Sequence, residues 1–272
     1  MLELNKIYHT EAINGMKLLD DNSIPFTLTS PPYDNIRKYK GFTFNFKGIA
    51  DELYRITSPG GVIVWIVGDG TEKGGETGTS FKQALYFKEI GFTLHDTMIY
   101  HKSAFNFPAN NRYHQVFEYM FVLTKGKLKT FNPIKDRKNI YVGQKAHGKH
   151  RGKDENDYKD MSKIVKAKPV GEYGQRTNVW YTKVGGGHVT KDKIAYKHPA
   201  IFPESLAEGH IKTWSNEGDI VFDPMAGSFT TGICAINLKR NFIGMDISKD
   251  YCEIGQQRFK NRFNFNIPII SI

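Results

Sequence analysis

Residues Val62 to Val67 read Val-Ile-Val-Trp-Ile-Val, six apolar residues with no polar break, entered through Gly60 and Gly61. A strand with one wet face would alternate, so this run predicts a strand covered on both faces, as in a parallel sheet packed between helices. Other segments agree. Ile24 to Thr29 is a short apolar run with β-branched content, stopped abruptly by Pro31 and Pro32. Ahead of it Ala12, Ile13, Met16, Leu18 and Leu19 recur at helical spacing and predict a helix of two to three turns. Ser80 to Ile90 predicts a helix ended by Gly91. Phe92 to Tyr100 and Val116 to Leu123 then predict two strands that close the sheet as an antiparallel pair. Towards the C-terminus the pattern is helix (204–214), strand (220–223), helix (230–238), strand (242–246) and helix (251–258), a βαβ unit. The expected fold class is α/β: a doubly wound, mostly parallel sheet with an antiparallel edge hairpin.

The stretch between the two patterned halves is different. From Lys125 to Ala195 there are 18 basic side chains against 7 acidic ones, while the rest of the chain is close to neutral. Periodicity is weak through Gly171, returns at Val179, Trp180 and Tyr181, and is followed by the glycine run Gly185 to Gly187. With 272 residues and 39% hydrophobic content the chain can bury one large core but not two full domains. One catalytic domain is therefore expected, with halves at 1–124 and 196–272 and an insertion at 125–195. The regional positive charge points to a polyanion as partner. No stretch approaches the ~20 apolar residues of a membrane span, and Met1 to Lys6 lacks the basic and apolar parts of a signal peptide, so a cytosolic protein is expected. Cys234 and Cys252 are too few for a disulfide framework and predict buried thiols. His147, His150 and His188 are too irregularly spaced to suggest a metal site, and none is expected.

Two clusters carry chemistry. The first is Asp223-Pro224-Met225-Ala226-Gly227-Ser228, with Thr230 and Thr231 opening the next helix and Asp246 ending the next strand. Small residues after a strand let the backbone approach a ligand, and an acid about 20 residues on can accept hydrogen bonds from ribose hydroxyls. The absence of G-x-G-x-x-G and G-K-[ST] disfavours a phosphate at this turn. The second cluster is Thr29-Ser30-Pro31-Pro32-Tyr33, which makes a rigid shelf with one stacking face at a strand end.

At these clusters the chain resembles the S-adenosylmethionine-dependent DNA amino-methyltransferases, which carry a [DNS]-P-P-[YFW] motif and a D-P-F-x-G-S-G-T-T motif. Here the two stand as Ser30-Pro31-Pro32-Tyr33 and Asp223 to Thr231. The order, catalytic half first and cofactor half last, resembles the β group of that family, with the basic insertion where its target-recognition segment belongs. Pro59-Gly60-Gly61, Asn178-Val179-Trp180, Lys197-His198-Pro199 and Phe202-Pro203 are further matches. Two departures stand out: Met225 replaces the usual phenylalanine, and Phe229 replaces the second glycine, which makes that turn bulkier than the family's.

The resemblance implies a Rossmann-like methyltransferase fold, with catalysis by Ser30, Pro31, Pro32 and Tyr33. It places S-adenosylmethionine against Thr29, Lys197, His198, Pro199, Phe202, Asp223, Pro224, Met225, Ala226, Gly227, Ser228, Thr230, Thr231 and Asp246. The exocyclic amine of a flipped base would donate to the Ser30 side chain and the Pro31 carbonyl and stack on Tyr33. Double-stranded DNA would meet the insertion at Arg137, Lys149, Arg151, Lys153, Gln175 and Arg176, with Arg151, Asn156 or Gln175 able to read base edges. A serine at the first motif position resembles the cytosine-N4 enzymes, with adenine N6 as the alternative. A cognate restriction enzyme and a homodimer are further expectations. Neither cysteine follows a proline, as the nucleophile for cytosine C5 methylation would in the family that performs it. An RNA or protein methyltransferase and an inactive DNA-binding module remain as rivals.

Overall fold

The computed structural model describes residues 2–33, 44–105, 111–145, 168–185 and 187–272, and the backbone of 150–153 and 159–165. In chain order the elements are β1 (Lys6–His9), α1 (Ala12–Met16), β2 (Ile24–Thr29), α2 (Phe46–Ile56), β3 (Thr57–Val67), a small hairpin β4 (Thr71–Glu72) and β5 (Gly75–Glu76), α3 (Thr79–Glu89), β6 (Thr93–Lys102) and β7 (Phe117–Thr124). Then come β8 (Arg137–Lys138), β9 (His150–Lys153), β10 (Lys159–Val165) and β11 (Tyr173–Gly174). The chain ends with β12 (Val179–Thr182), α4 (Glu204–Trp214), β13 (Ile220–Asp223), α5 (Thr230–Asn237), β14 (Asn241–Asp246), α6 (Lys249–Phe263) and β15 (Ile269–Ser271).

Nine of these strands form one sheet in the order β12-β6-β7-β3-β2-β13-β14-β1-β15. Among the described residues only β7 runs against the others, pairing antiparallel with β3 and β6. The antiparallel pair is the one expected, and β12 adds parallel to its outer strand. The continuous apolar runs have the predicted cause: Val62 to Val67 are all buried, and alternate residues face different layers. Trp65, Val67, Phe121, Leu123, Phe222 and Met245 pack with Met16, Leu53 and Phe87 on one face. On the other, α4 packs against β2 and α5 against β13 and β14.

Several elements differ from the sequence expectation. Helix α1 stops at Met16, so Leu18 and Leu19 lie beyond it in a turn. Helix α2 was not foreseen, although Ile49, Ala50, Leu53 and Ile56 give it a buried face at helical spacing. Strands β1 and β15 were not foreseen either; each is four residues or fewer and is fixed by partners distant in sequence.

The chain divides into a large unit, Met1–Asn132 with Asn178–Ile272, and a small one, Pro133–Thr177. The small unit lies within the expected 125–195 insertion, and the flanks of that stretch belong to the large unit. In the small unit β8 pairs with β11 and β9 with β10, both antiparallel.

Candidate active site

Strands β2 and β13 are adjacent and parallel, with Val221 opposite Phe26 and Phe222 opposite Thr27. Their carboxyl ends therefore bring together two segments nearly two hundred residues apart, at the position where open α/β sheets bind ligands. Thr29 Oγ1 donates to Asp223 Oδ1 at 2.8 Å, and Thr231 Oγ1 donates to Oδ2 at 2.8 Å. The Met225 backbone N–H adds a third donor at 3.2 Å. Despite these donors, burial pushes the Asp223 carboxyl up to about 7.

Asp246, at the end of β14, accepts the Gly227 N–H on Oδ2 and the Ser248 N–H on Oδ1, both at 2.8 Å. Burial raises its carboxyl to about 6. Each oxygen keeps a second lone pair, so Asp246 can still accept from a ligand hydroxyl. Gly227 is a glycine for two reasons. Its φ is +52°, and a Cβ there would lie 2.8 Å from His198 Nε2. The buried His198 ring is held by the Ala200 backbone and meets Tyr251 edge-on.

The anomalous Phe229 has a clear structural place. It caps α5 in the left-handed region, with φ 60° and ψ 31°, and is fully buried. Its ring fills the room left by two glycines: a Cβ on Gly255 would lie 2.4 Å from Phe229 Cδ2, and one on Gly244 would lie 2.8 Å from Cε1. Ser228 and Thr230 line the cleft on either side of it in sequence, whereas Phe229 does not. Behind them sits Arg258, fully buried, which donates to the Ser228 carbonyl at 2.7 Å and Thr230 Oγ1 at 2.8 Å, and pairs with Glu204 at 2.9 Å. The sequence reading missed this arginine, whose position within α6 carries no sign of its burial.

At the end of β2, Ser30 Oγ lies 2.8 Å from Tyr33 Oη, and Tyr33 Oη donates to Glu118 Oε2 at 2.9 Å. Lys102 Nζ meets Glu118 Oε1 at 2.9 Å. The register of β6 and β7 sets Tyr100 opposite Glu118, which puts Tyr100, Lys102 and Glu118 on one face of the pair. Burial, with the Glu118 charge adding to it, raises the Tyr100 phenol well above its ordinary range. Lys102 and Glu118 were also missed by the sequence reading. The available signal was a lone acid, Glu118, in the otherwise apolar β7.

These groups open into one cleft of about 1630 Å³. It is lined by Thr29, Ser30, Pro31, Pro32, Tyr33, His198, Pro199, Phe202 and every predicted residue from Asp223 to Thr231, together with Asp246. Of the predicted cofactor residues only Lys197 lies outside that lining; it is exposed at the end of a 3-10 turn. Both cysteines are buried and free, and burial raises both thiols, that of Cys252 to about 12.

Of the residues proposed for DNA contact, Arg137 and Gln175 are exposed in the small unit, where Arg137 Nε donates to the Gln175 carbonyl at 3.1 Å. Arg176 forms an ion pair with Asp136, which holds that carboxyl below its ordinary range. Arg151 and Lys153 lie on β9, described by backbone alone; Lys149 and Asn156 lie outside the described residues.

Comparison with known proteins agrees with this geometry. A family described as DNA methylase matches residues 24–257, which include both clusters. The orphan methyltransferase M.BamHII of Bacillus amyloliquefaciens is 54% identical over 245 residues, covering 89% of this chain and 91% of that one. Among solved structures, a DNA modification methylase of Thermus thermophilus, TTHA0409, in complex with S-adenosyl-L-methionine has a TM-score of 0.64 at 20% identity, over 98% of each chain. The cytosine-N4-specific PvuII DNA methyltransferase has a TM-score of 0.65 at 17% identity, over 93% of this chain and 85% of that one. The two structures share the fold described above.

Proposed function

The chain belongs to the DNA methylase family, and on that premise we propose that it transfers a methyl group from S-adenosylmethionine to an exocyclic amino nitrogen of a DNA base, cytosine N4 in first place. The observation that carries this reading is the meeting of Ser30 to Tyr33 with Asp223, Gly227 and Asp246 in one cleft. Two buried acids at the strand ends, Asp246 mostly ionised at neutral pH and Asp223 partly so, suit a cationic nucleoside better than a phosphate. S-adenosylmethionine supplies, when bound, an electrophilic methyl on a positively charged sulfur.

The chain's own residues do the rest. Asp246 accepts from ribose hydroxyls while the Gly227 N–H fixes its carboxylate. Asp223 is held by Thr29 and Thr231, so the turn that follows it is rigid before any ligand arrives. The base amine is a poor nucleophile because its lone pair is delocalised into the ring. Ser30 Oγ and the Pro31 carbonyl, accepting its two N–H groups, favour a tetrahedral nitrogen with a localised lone pair. Tyr33 stacks on the base, and the fixed φ of Pro31 and Pro32 keeps the shelf from moving. In this reading 125–195 is the target-recognition segment, and its basic side chains hold the duplex by its phosphates.

Serine at position 30, as in the cytosine-N4 enzymes that the motif resembles, supports cytosine over adenine. The test is incubation with S-adenosylmethionine and unmethylated duplex DNA, followed by digestion to nucleosides and mass spectrometry. N4-methylcytosine is the expected product. N6-methyladenine would overturn the choice of base, and an unmethylated digest would overturn the activity.

A further inference from the structure

The hydrogen-bonded chain behind Ser30 has a direction, and a carboxylate sets it. An ionised carboxylate only accepts, so the single phenol proton of Tyr33 goes to Glu118 Oε2. The Ser30–Tyr33 contact at 2.8 Å must then be made with the serine proton. With that proton spent, Ser30 has only lone pairs to offer a ligand in the cleft.

We propose that Glu118 is the positioning residue that makes Ser30 an obligate acceptor for the substrate amine, with Tyr33 as the link and Lys102 as the charged partner that fixes the carboxylate. The inference rests on the exocyclic-amine reading above. A carboxylate at position 30 would accept without help. A serine can donate or accept, and one that donated to the base would leave the amine unactivated. Among the described residues the polar side chains facing Glu118 are Tyr33, from the segment after β2, and Lys102 with Tyr100 from β6. Each offers a donor, so the carboxylate has no competing acceptor among them. The same polarity discriminates at the target position. An amino group meets an acceptor, whereas a carbonyl oxygen in its place meets lone pairs against lone pairs.

The experiment begins with the methylated base identified in wild-type product. Duplexes are then prepared with that base or its deaminated counterpart, uracil for cytosine or hypoxanthine for adenine. Affinity is measured by fluorescence anisotropy in the presence of S-adenosylhomocysteine, so that no turnover is needed. Wild-type protein should prefer the amino base by roughly tenfold or more, because the carbonyl leaves buried acceptors unpaired. Glu118→Gln, whose amide can donate to Tyr33 and reverse the chain, should bring that preference within about threefold. Its single-turnover rate should fall on the order of 10- to 100-fold, with calorimetric affinity for the cofactor within about twofold of wild type. Glu118→Asp should recover part of both losses. Tyr33→Phe, which keeps the ring and breaks the link, should lose the preference too, and adding it to Glu118→Gln should cost nothing further. A Glu118→Gln protein with wild-type preference and rate, or additive effects of the two substitutions, overturns the proposal. Should Glu118→Gln fail to fold, Tyr33→Phe decides alone: a retained preference overturns the link. A wild-type protein that methylates no DNA amine overturns the functional reading and this inference with it; an active one with an indifferent Glu118 overturns this inference alone.

Discussion

Replacing Phe229 by glycine restores the residue usual at that place in the motif and should nonetheless weaken the protein. The substitution acts in two directions. A non-glycine residue at φ 60° carries a left-handed penalty of about 1 kcal/mol, which glycine removes. Against that, truncating a fully buried phenylalanine costs about 3–5 kcal/mol through lost transfer energy and the cavity left behind. The second effect wins, and a net loss of about 2–4 kcal/mol follows, which lowers Tm by roughly 5–10 °C in a domain of this size. Differential scanning fluorimetry measures it, and chemical denaturation gives the free energy. The sharper assay is a double-mutant cycle. In the native background Gly255→Ala drives a Cβ to 2.4 Å from the ring and should be strongly destabilising. In the Phe229→Gly background the same methyl enters vacant space and should cost little or stabilise. A coupling above about 1 kcal/mol is expected for such a contact. Because Phe229 does not line the cleft, affinity for S-adenosylmethionine should stay within about threefold of wild type. An unchanged or higher Tm for Phe229→Gly, or strictly additive effects with Gly255→Ala, would refute the packing argument.

Three further outcomes are expected. Asp223 titrates near 7 in the fold against an ordinary value of 3.8, and Asp246 near 6, so between about pH 4 and 7 the unfolded chain gives up these protons first. Stability from these groups is thus greatest at low pH and is lost as pH rises, by up to about 1.4 kcal/mol per unit for Asp223, levelling above about 7. Asp223→Asn should gain on wild type in Tm as pH goes from 5 to 8 while its cofactor affinity falls; parallel Tm curves would contradict this. Gly227→Ala must place a Cβ against His198 at a positive φ, and calorimetry should show cofactor affinity reduced at least tenfold, with a retained affinity counting against the close-approach role. Arg258→Met leaves the buried end of Glu204 short of a cation and frees the Ser228–Thr230 segment. A loss of about 3–5 kcal/mol is expected by denaturant titration, and wild-type stability would show that Arg258 is not needed to hold the turn.

What the sequence disclosed and what it withheld divide along the range of the interactions involved. Val62 to Val67 announced a doubly covered strand because six consecutive apolar residues have few other uses, and the next two strand-like runs announced the antiparallel pair β6 and β7, though not that β7 lies against β3. The turn after β13 was equally legible as a turn, since Asp223, Gly227 and Asp246 meet through local backbone geometry within a single βαβ unit. Strands β1 and β15 were not, because three or four residues carry no periodicity and gain their state only from partners such as Ile243 to Asp246. Phe229 looked like a defect for the same reason: the two glycines that accommodate it are 15 and 26 residues away, and nothing in the turn itself records them.

Glu118 makes the point most sharply for function. The motif at 30–33 names the serine but leaves its hydroxyl free to donate or accept, so the motif alone does not specify a site able to activate an amine. The missing choice is supplied 85 residues later by a side chain whose inward position depends on the pairing of β7 with β6, and whose charge would be out of place in an apolar strand were Lys102 not beside it. Lys102 and Glu118 pair at 2.9 Å in the lining of the cleft, where both side chains remain partly exposed. Because the carboxylate acts on the serine through the phenol of Tyr33, the polarity of Ser30 belongs to the fold as a whole and not to the four residues of its motif.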